Sequence, residues 1–196
     1  MKKRSVLGLM GAALLSLSTM ASAAGNAENG AELAAGCFGC HGEDGHSVVP
    51  SFPKLAGLQA DYTAKQIFDF QDGKRTDETM VGMSYMVASK QDARDIGAYF
   101  EAQSPMKGEA TGSKITQKGA KVYADLGCAT CHGIGGEGKG NLFPRIGGQH
   151  LDYLAKTLQD FRSGERTSDR SGMMAPLAKK LTDDQIESLA DYISGL

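Results

Sequence analysis

Beyond residue 17 the chain has no long apolar run, so no later segment is long enough to cross a bilayer as a helix. It has no excess of positive charge: once the three basic residues near its start are set aside, 18 bases face 23 acids, which speaks against nucleic acid as a partner. It has no alternation of β-branched strand-like runs with helical ones, which removes the βαβ setting of a thioredoxin-like dithiol. Cysteine occurs only four times, always in two tight pairs, and this leaves none for a wider disulfide framework.

The first 23 residues read as a signal peptide. Lys2, Lys3 and Arg4 form a basic start, an apolar run extends from Val6 to Leu17, and Ala21-Ser22-Ala23 is a small-residue cleavage pattern. The run is too short for a membrane span, so the expectation is export to a bacterial periplasm with cleavage after about Ala23. The sequence is compatible with both a free and a peripherally membrane-held mature chain.

What is present is a pentapeptide used twice. Cys37-Phe38-Gly39-Cys40-His41 recurs as Cys128-Ala129-Thr130-Cys131-His132, and the two copies consume every cysteine. C-x-x-C-H is the attachment signature of a c-type haem: two thiols form thioethers to the porphyrin, and the adjacent histidine takes an axial position on iron. At the start of a helix, thiols three positions apart point to one side, and the next imidazole projects from that same side. A zinc site is the competing reading, but a histidine abutting the second cysteine departs from the usual ligand spacing. The expected cofactors are two covalently bound haem c groups.

The duplication extends beyond the motif at a constant offset of 91 residues. Phe52-Pro53-Lys54-Leu55-Ala56-Gly57 answers Phe143-Pro144-Arg145-Ile146-Gly147-Gly148, Asp61-Tyr62-Thr63-Ala64-Lys65 answers Asp152-Tyr153-Leu154-Ala155-Lys156, and Gly73-Lys74-Arg75-Thr76 answers Gly164-Glu165-Arg166-Thr167. The chain therefore divides into a first domain over 24–104, a linker over 105–115 in a stretch with linker composition, and a second domain over 116–196. Each unit is small enough that its core is thin unless an apolar group is added, and a haem is such a group. Three helices are expected per unit: about 26–36 and 118–127, about 60–71 and 151–162, and a third after the capping patterns at Ser89 and Thr182. The fold class is all-α, a few short helices wrapped around each attached haem.

A second axial position decides whether such a protein carries electrons or performs chemistry. Five methionines lie about forty residues after a haem motif: Met80, Met83 and Met86 in the first unit, Met173 and Met174 in the second. Single methionines are often gap-fillers in a core, but the clustering recurs in both units. By offset Met174 matches Met83, whereas by distance to the following helix it matches Met80, so the residues leave Met80 and Met83 both open. His46 and His150 occupy non-matching positions of the repeat and read as surface or propionate-side residues.

Assembled in this way, the chain resembles the dihaem cytochrome c4 family, two class I cytochrome c domains in tandem, along essentially all of the mature sequence. The resemblance implies His41 and His132 as proximal ligands, Met80 of Met80-Val81-Gly82-Met83 and Met174 as their partners, and Pro53 and Pro144 as carbonyl acceptors for the histidine Nδ1–H. It also implies a non-enzymatic, monomeric, periplasmic electron carrier between a quinol-oxidising complex and a terminal oxidase. A cytochrome subunit of a periplasmic dehydrogenase is the alternative reading, and a dihaem peroxidase a lesser one, opposed by a methionine cluster in both halves. Charge differs between the halves: 12 acids and 7 bases over 24–107, against 11 of each over 108–196, an asymmetry that favours different partners at each end.

Overall fold

The computed structural model describes residues 24–196; the expected signal peptide and its cleavage site lie outside the described residues. Among the described residues the regular structure is helical, apart from an isolated bridge between Lys139 and Phe143. The first half contains α1 (Ala27–Leu33), which tightens into a 3₁₀ turn (Ala34–Cys37) and runs on as α2 (Phe38–His41), then α3 (Ala60–Gln71), α4 (Glu78–Ser84) and α5 (Lys90–Glu101). The second half repeats the order as α6 (Lys114–Asp125), α7 (Cys128–His132), α8 (Leu151–Ser163), α9 (Met174–Ala178) and α10 (Asp183–Ser194).

Local chemistry explains most of these boundaries. Ser89 and Asp92, Ser113 and Thr116, and Thr182 and Gln185 form reciprocal capping boxes that satisfy the first free amides of α5, α6 and α10. The box at Ser113 starts α6 four residues ahead of the expected Lys118, inside the stretch read as linker. Nor is that stretch a loose spacer. Met106 is 2% exposed, its N–H donates to the Ala56 carbonyl at 3.2 Å, and the Lys54 ammonium donates to the carbonyls of Lys107 and, at 3.0 Å, Gly148. The short helices α4 and α9, in the methionine segments, carry too few turns for a periodic signal.

In each half the first helix crosses the last, α1 on α5 and α6 on α10, and the middle helix packs on the last as well. The crossings are made close by glycine: a Cβ on Gly30 would stand 1.9 Å from the Asp95 carbonyl oxygen, and one on Gly119 would stand 1.9 Å from that of Ser188. Apolar contacts then knit the helices, with Ile67, Ile96 and Phe100 central in the first half and Leu158, Ile186 and Leu189 in the second. These clusters are small, and the first cysteine of each Cys-Cys-His motif packs against the one in its own domain.

Two buried carboxylates tie the crossings together. Asp95 accepts from Asn26 N–H at 2.8 Å, from Asn29 Nδ2 at 2.6 Å and from Gln91 Nε2 at 2.7 Å. Asp191 accepts from Thr111 N–H at 3.0 Å and from the hydroxyls of Thr111 and Thr116. Burial alone would raise the Asp191 carboxyl, but the bonds from Thr116 and Thr111 outweigh it and hold the group below the usual carboxylate range. A carboxyl depressed on folding contributes stability that is complete above its unfolded pKa and is lost as pH falls through its folded one. Replacing Asp191→Ala is expected to destabilise the second domain by on the order of 2 kcal/mol, since it strands the Thr111 amide, and to remove that acid-side loss of stability. Chemical denaturation of holoprotein and variant at neutral and acidic pH measures both effects.

Candidate functional site

The haem motifs sit at the ends of short helices for a steric reason. α2 and α7 are each terminated by a glycine directly after the histidine, Gly42 at φ +81° and Gly133 at φ +86°, a conformation that side chains rarely adopt. The chain therefore turns away at once and leaves the imidazole at the helix end. Cys37, Cys40, Cys128 and Cys131 are half-buried, form no disulfide with one another, and all four line a cavity of about 700 Å³ that reaches into both domains.

His41 and His132 are buried and line the same cavity. The His41 Nδ1–H donates to the Pro53 carbonyl at 2.7 Å, and the His132 Nδ1–H donates to the Pro144 carbonyl at 2.9 Å. Burial lowers the pKa of both imidazoles, only partly offset by these carbonyls. The outcome is a neutral ring whose proton is fixed on Nδ1, leaving the Nε2 lone pair for a metal. Phe52 and Phe143 lean against the two imidazoles, with ring centroids at 6.5 and 6.4 Å.

Met80, Met83, Met86, Met173 and Met174 all line the cavity. They differ in how they are held. The Met80 N–H donates to Asp77 Oδ1 at 2.9 Å, and the Met174 N–H donates to Asp169 Oδ2. Met83 and Met86 instead bring their terminal methyl groups against Gly36, the residue before Cys37, and Met86 and Met173 are exposed. His46 and His150 stay outside the cavity: His46 Nε2 bonds the Ser104 carbonyl at 3.1 Å, and His150 Nε2 reaches the Ser47 carbonyl of the other domain at 2.9 Å.

The polar end of the cavity lies between the domains, and the residues there were not singled out from the sequence. Arg75 lies over the Phe70 ring and donates to the Tyr153 hydroxyl of the other domain at 2.9 Å; Arg166 lies over Phe161 and donates to the Tyr62 hydroxyl at 3.0 Å. Both also donate to the amide oxygen of Gln66, at 3.0 and 2.8 Å. Despite its burial, the Tyr153 hydroxyl is pulled down by the two guanidinium charges. The available signal was the retention of Asp-Tyr and Arg-Thr at the 91-residue offset, a polar identity kept where core packing does not need it.

These features test whether a haem fits. Among the described residues no three His, Cys, Asp or Glu side chains converge as a metal-holding set, which disfavours zinc built from the Cys-Cys-His residues. Arg75 and Arg166 face the cavity without a carboxylate partner, and the buried Arg145 Nε, also in its lining, has no acceptor. A macrocycle that is apolar across its face and carries two propionates supplies the volume and the anions that this cavity lacks. Because that macrocycle fills the place of a core, haem-free chain is expected to lose its near-UV circular dichroism while keeping part of its helical signal. Native-like near-UV dichroism without haem contradicts this.

The family model for cytochrome c matches the chain twice, over residues 27–104 and 116–196. Cytochrome c4 of Pseudomonas aeruginosa is 42% identical over 190 residues, spanning 93% of this chain and 94% of that one. The thiosulfate dehydrogenase electron acceptor of Stutzerimonas stutzeri is 31% identical over 205 residues, spanning 96% and 94%. Among solved structures, reduced recombinant cytochrome c4 from Pseudomonas stutzeri superposes with a TM-score of 0.82 at 40% identity, covering 88% of this chain and 100% of that one. With the likeness running through both halves and both attachment motifs, the chain belongs to the cytochrome c4 family and carries two covalent haem c groups, at Cys37 and Cys40 and at Cys128 and Cys131.

Proposed function

We propose that this dihaem electron carrier works in the periplasm, with His41 and Met80 as axial ligands of the first iron and His132 and Met174 as those of the second. Each haem c supplies a one-electron iron(III)/iron(II) couple. The chain's own residues set its conditions. The Pro53 and Pro144 carbonyls accept hydrogen bonds from the Nδ1–H groups of the two histidines and keep each Nε2 unprotonated and aimed. Apolar side chains such as Ile67, Phe70, Leu158 and Phe161 line the cavity and exclude water from it. Arg75 and Arg166 hold positive charge at its inner end.

The observation that carries the reading is that, in each domain, a proline-held neutral imidazole and a methionine whose N–H is accepted by an aspartate line the same cavity. The same observation favours Met80 over Met83. Asp77 accepts the N–H of Met80 in the capped first turn of α4 and Asp169 accepts that of Met174, from three and five residues upstream, whereas Met83 lies beyond that first turn. Histidine and methionine holding each haem together would leave neither iron open to peroxide and would suit electron transfer.

The partners we infer are a quinol-oxidising complex as donor and a terminal oxidase as acceptor, with the protein a monomer and free of nucleic acid. A second reading has its own support: a relative named as a thiosulfate dehydrogenase electron acceptor matches along almost the whole chain, and a thiosulfate dehydrogenase structure from Marichromatium purpuratum matches with a TM-score of 0.75 at 29% identity, this chain spanning 39% of that one. In that reading the electrons come from a periplasmic dehydrogenase instead of quinol.

A redox titration followed by absorption spectroscopy tests the ligand assignment. Wild type is expected to hold two low-spin haems, neither binding added cyanide or peroxide readily. Met80→Ala should turn one haem of the two high-spin and cyanide-binding, whereas Met83→Ala should leave both low-spin; the reverse result moves the ligand to Met83. Pro144→Ala should shift the second potential less than Met174→Ala, and equal shifts overturn the role given to Pro144. Docking to a redox partner should also slow with rising ionic strength, given the charge difference between the halves; rates independent of salt exclude steering.

A further inference from the structure

The two carbonyls that orient the histidines belong to prolines, and proline has no N–H with which to anchor its own peptide. Each domain holds the far side of this segment itself. Leu55 and Ala56 N–H donate to the Gly45 carbonyl at 2.8 and 3.2 Å, and Ile146 and Gly147 N–H donate to the Gly136 carbonyl at 2.8 and 3.0 Å. Immediately beside the prolines, however, the backbone is gripped from the other domain. Gln149 accepts the Lys54 N–H at 2.9 Å through Oε1 and donates Nε2–H to the Lys54 carbonyl at 2.9 Å. Gln59 accepts the Arg145 N–H at 3.0 Å and donates to the Phe143 carbonyl at 3.4 Å. Lys54 is the residue after Pro53, and Phe143 and Arg145 flank Pro144.

We propose that Gln149 and Gln59 are positioning residues that act in trans: Gln149 of the second domain fixes the Pro53 carbonyl for His41, and Gln59 of the first fixes the Pro144 carbonyl for His132. The reading rests on the histidine ligation proposed above. A side-chain amide suits the task, since it offers an acceptor and a donor from one rigid plane and so can hold a backbone N–H and a nearby C=O together. Simple inheritance from the duplication does not account for the pair. At the 91-residue offset Gln59 matches His150, not Gln149, so the two glutamines accept the same N–H, that of the residue after the proline, from positions one residue out of register, and donate to carbonyls on opposite sides of the proline. The two grips are also unequal: Gln149 is 5% exposed with two short bonds, whereas Gln59 is half-buried with one long bond, so the first histidine depends more on its clamp than the second.

The consequence reaches the metal. A histidine whose Nδ1–H is firmly bonded to a carbonyl is a stronger donor, and loosening that carbonyl weakens both the bond and the donation. Each haem's electronic setting is then maintained by the neighbouring domain, and no isolated domain retains it.

The test uses the reduced, haem-loaded full chain and follows solvent exchange of the Nδ1–H of each haem-bound histidine by NMR, with signals assigned through contacts to the Phe52 and Phe143 rings. Two ring-current-shifted imidazole signals in the wild type decide the ligation independently of any variant; their absence refutes that reading before the glutamines are examined. Gln149→Ala should speed exchange at His41 by about fivefold and leave His132 unchanged, while Gln59→Ala should do the converse with a smaller factor. Asn141→Ala, which cuts the domain-bridging bond from Asn141 to Asp61 and touches neither glutamine, should leave both rates alone. Faster exchange at the histidine of the mutated domain, no change at either, or the same change from Asn141→Ala overturns the proposal. If Gln149→Ala does not accumulate with both haems, Gln149→Glu is measured instead; it keeps the acceptor for Lys54 N–H and removes the donor to its carbonyl. Faster exchange at His41 alone then supports the clamp, and an unchanged rate there overturns it.

Discussion

Attachment of a macrocycle through two thiols three residues apart is the constraint on which the rest of this molecule depends. It puts an apolar body where a domain of this size would otherwise need a packed centre, and the helices arrange themselves as walls. The apolar clusters around Ile96 and Phe100, and around Ile186 and Leu189, join the middle and last helices of each half and reach the cavity edge. A short helix with a positive-φ glycine behind it then presents the imidazole. The methionine segment on the other wall needs no length, only an anchor, and one aspartate supplies it in each domain.

The interface between domains follows from the same constraint. Propionates have to leave each apolar pocket somewhere, and the paired guanidiniums of Arg75 and Arg166 gather positive charge where the pockets meet. Stacking on Phe70 and Phe161 lets these groups be buried while their hydrogen bonds cross to the opposite tyrosine. Lys54, set on the carbonyls of Lys107 and Gly148, adds a third cation to the seam and fastens the connecting segment to it.

What was legible in the sequence was whatever recurs or carries a fixed signature. The C-x-x-C-H motifs, the offset of 91, and helices α3, α5, α8 and α10 could be read because periodic apolar faces and capping residues are local in the chain. The methionine segments were found by clustering, but their helices were not, because seven residues in α4 and five in α9 hold no reliable period. Which methionine amide an aspartate holds could not be read either, because that contact depends on how the segment folds back. Arg75, Tyr153, Gln59 and Gln149 stayed silent for a different reason: their partners are 78 to 95 residues away, and no local pattern encodes a contact at that range.

The seam is almost a two-fold axis, and a further position besides the glutamine clamps breaks it. Gln66 gives its amide oxygen to both guanidiniums, whereas its counterpart at the 91-residue offset is Thr157, which has no amide to offer. Both guanidiniums thus share one acceptor that belongs to the first domain. At the seam the duplicated halves are therefore not interchangeable: a chain built from two copies of the second domain would offer neither guanidinium an amide oxygen at this position.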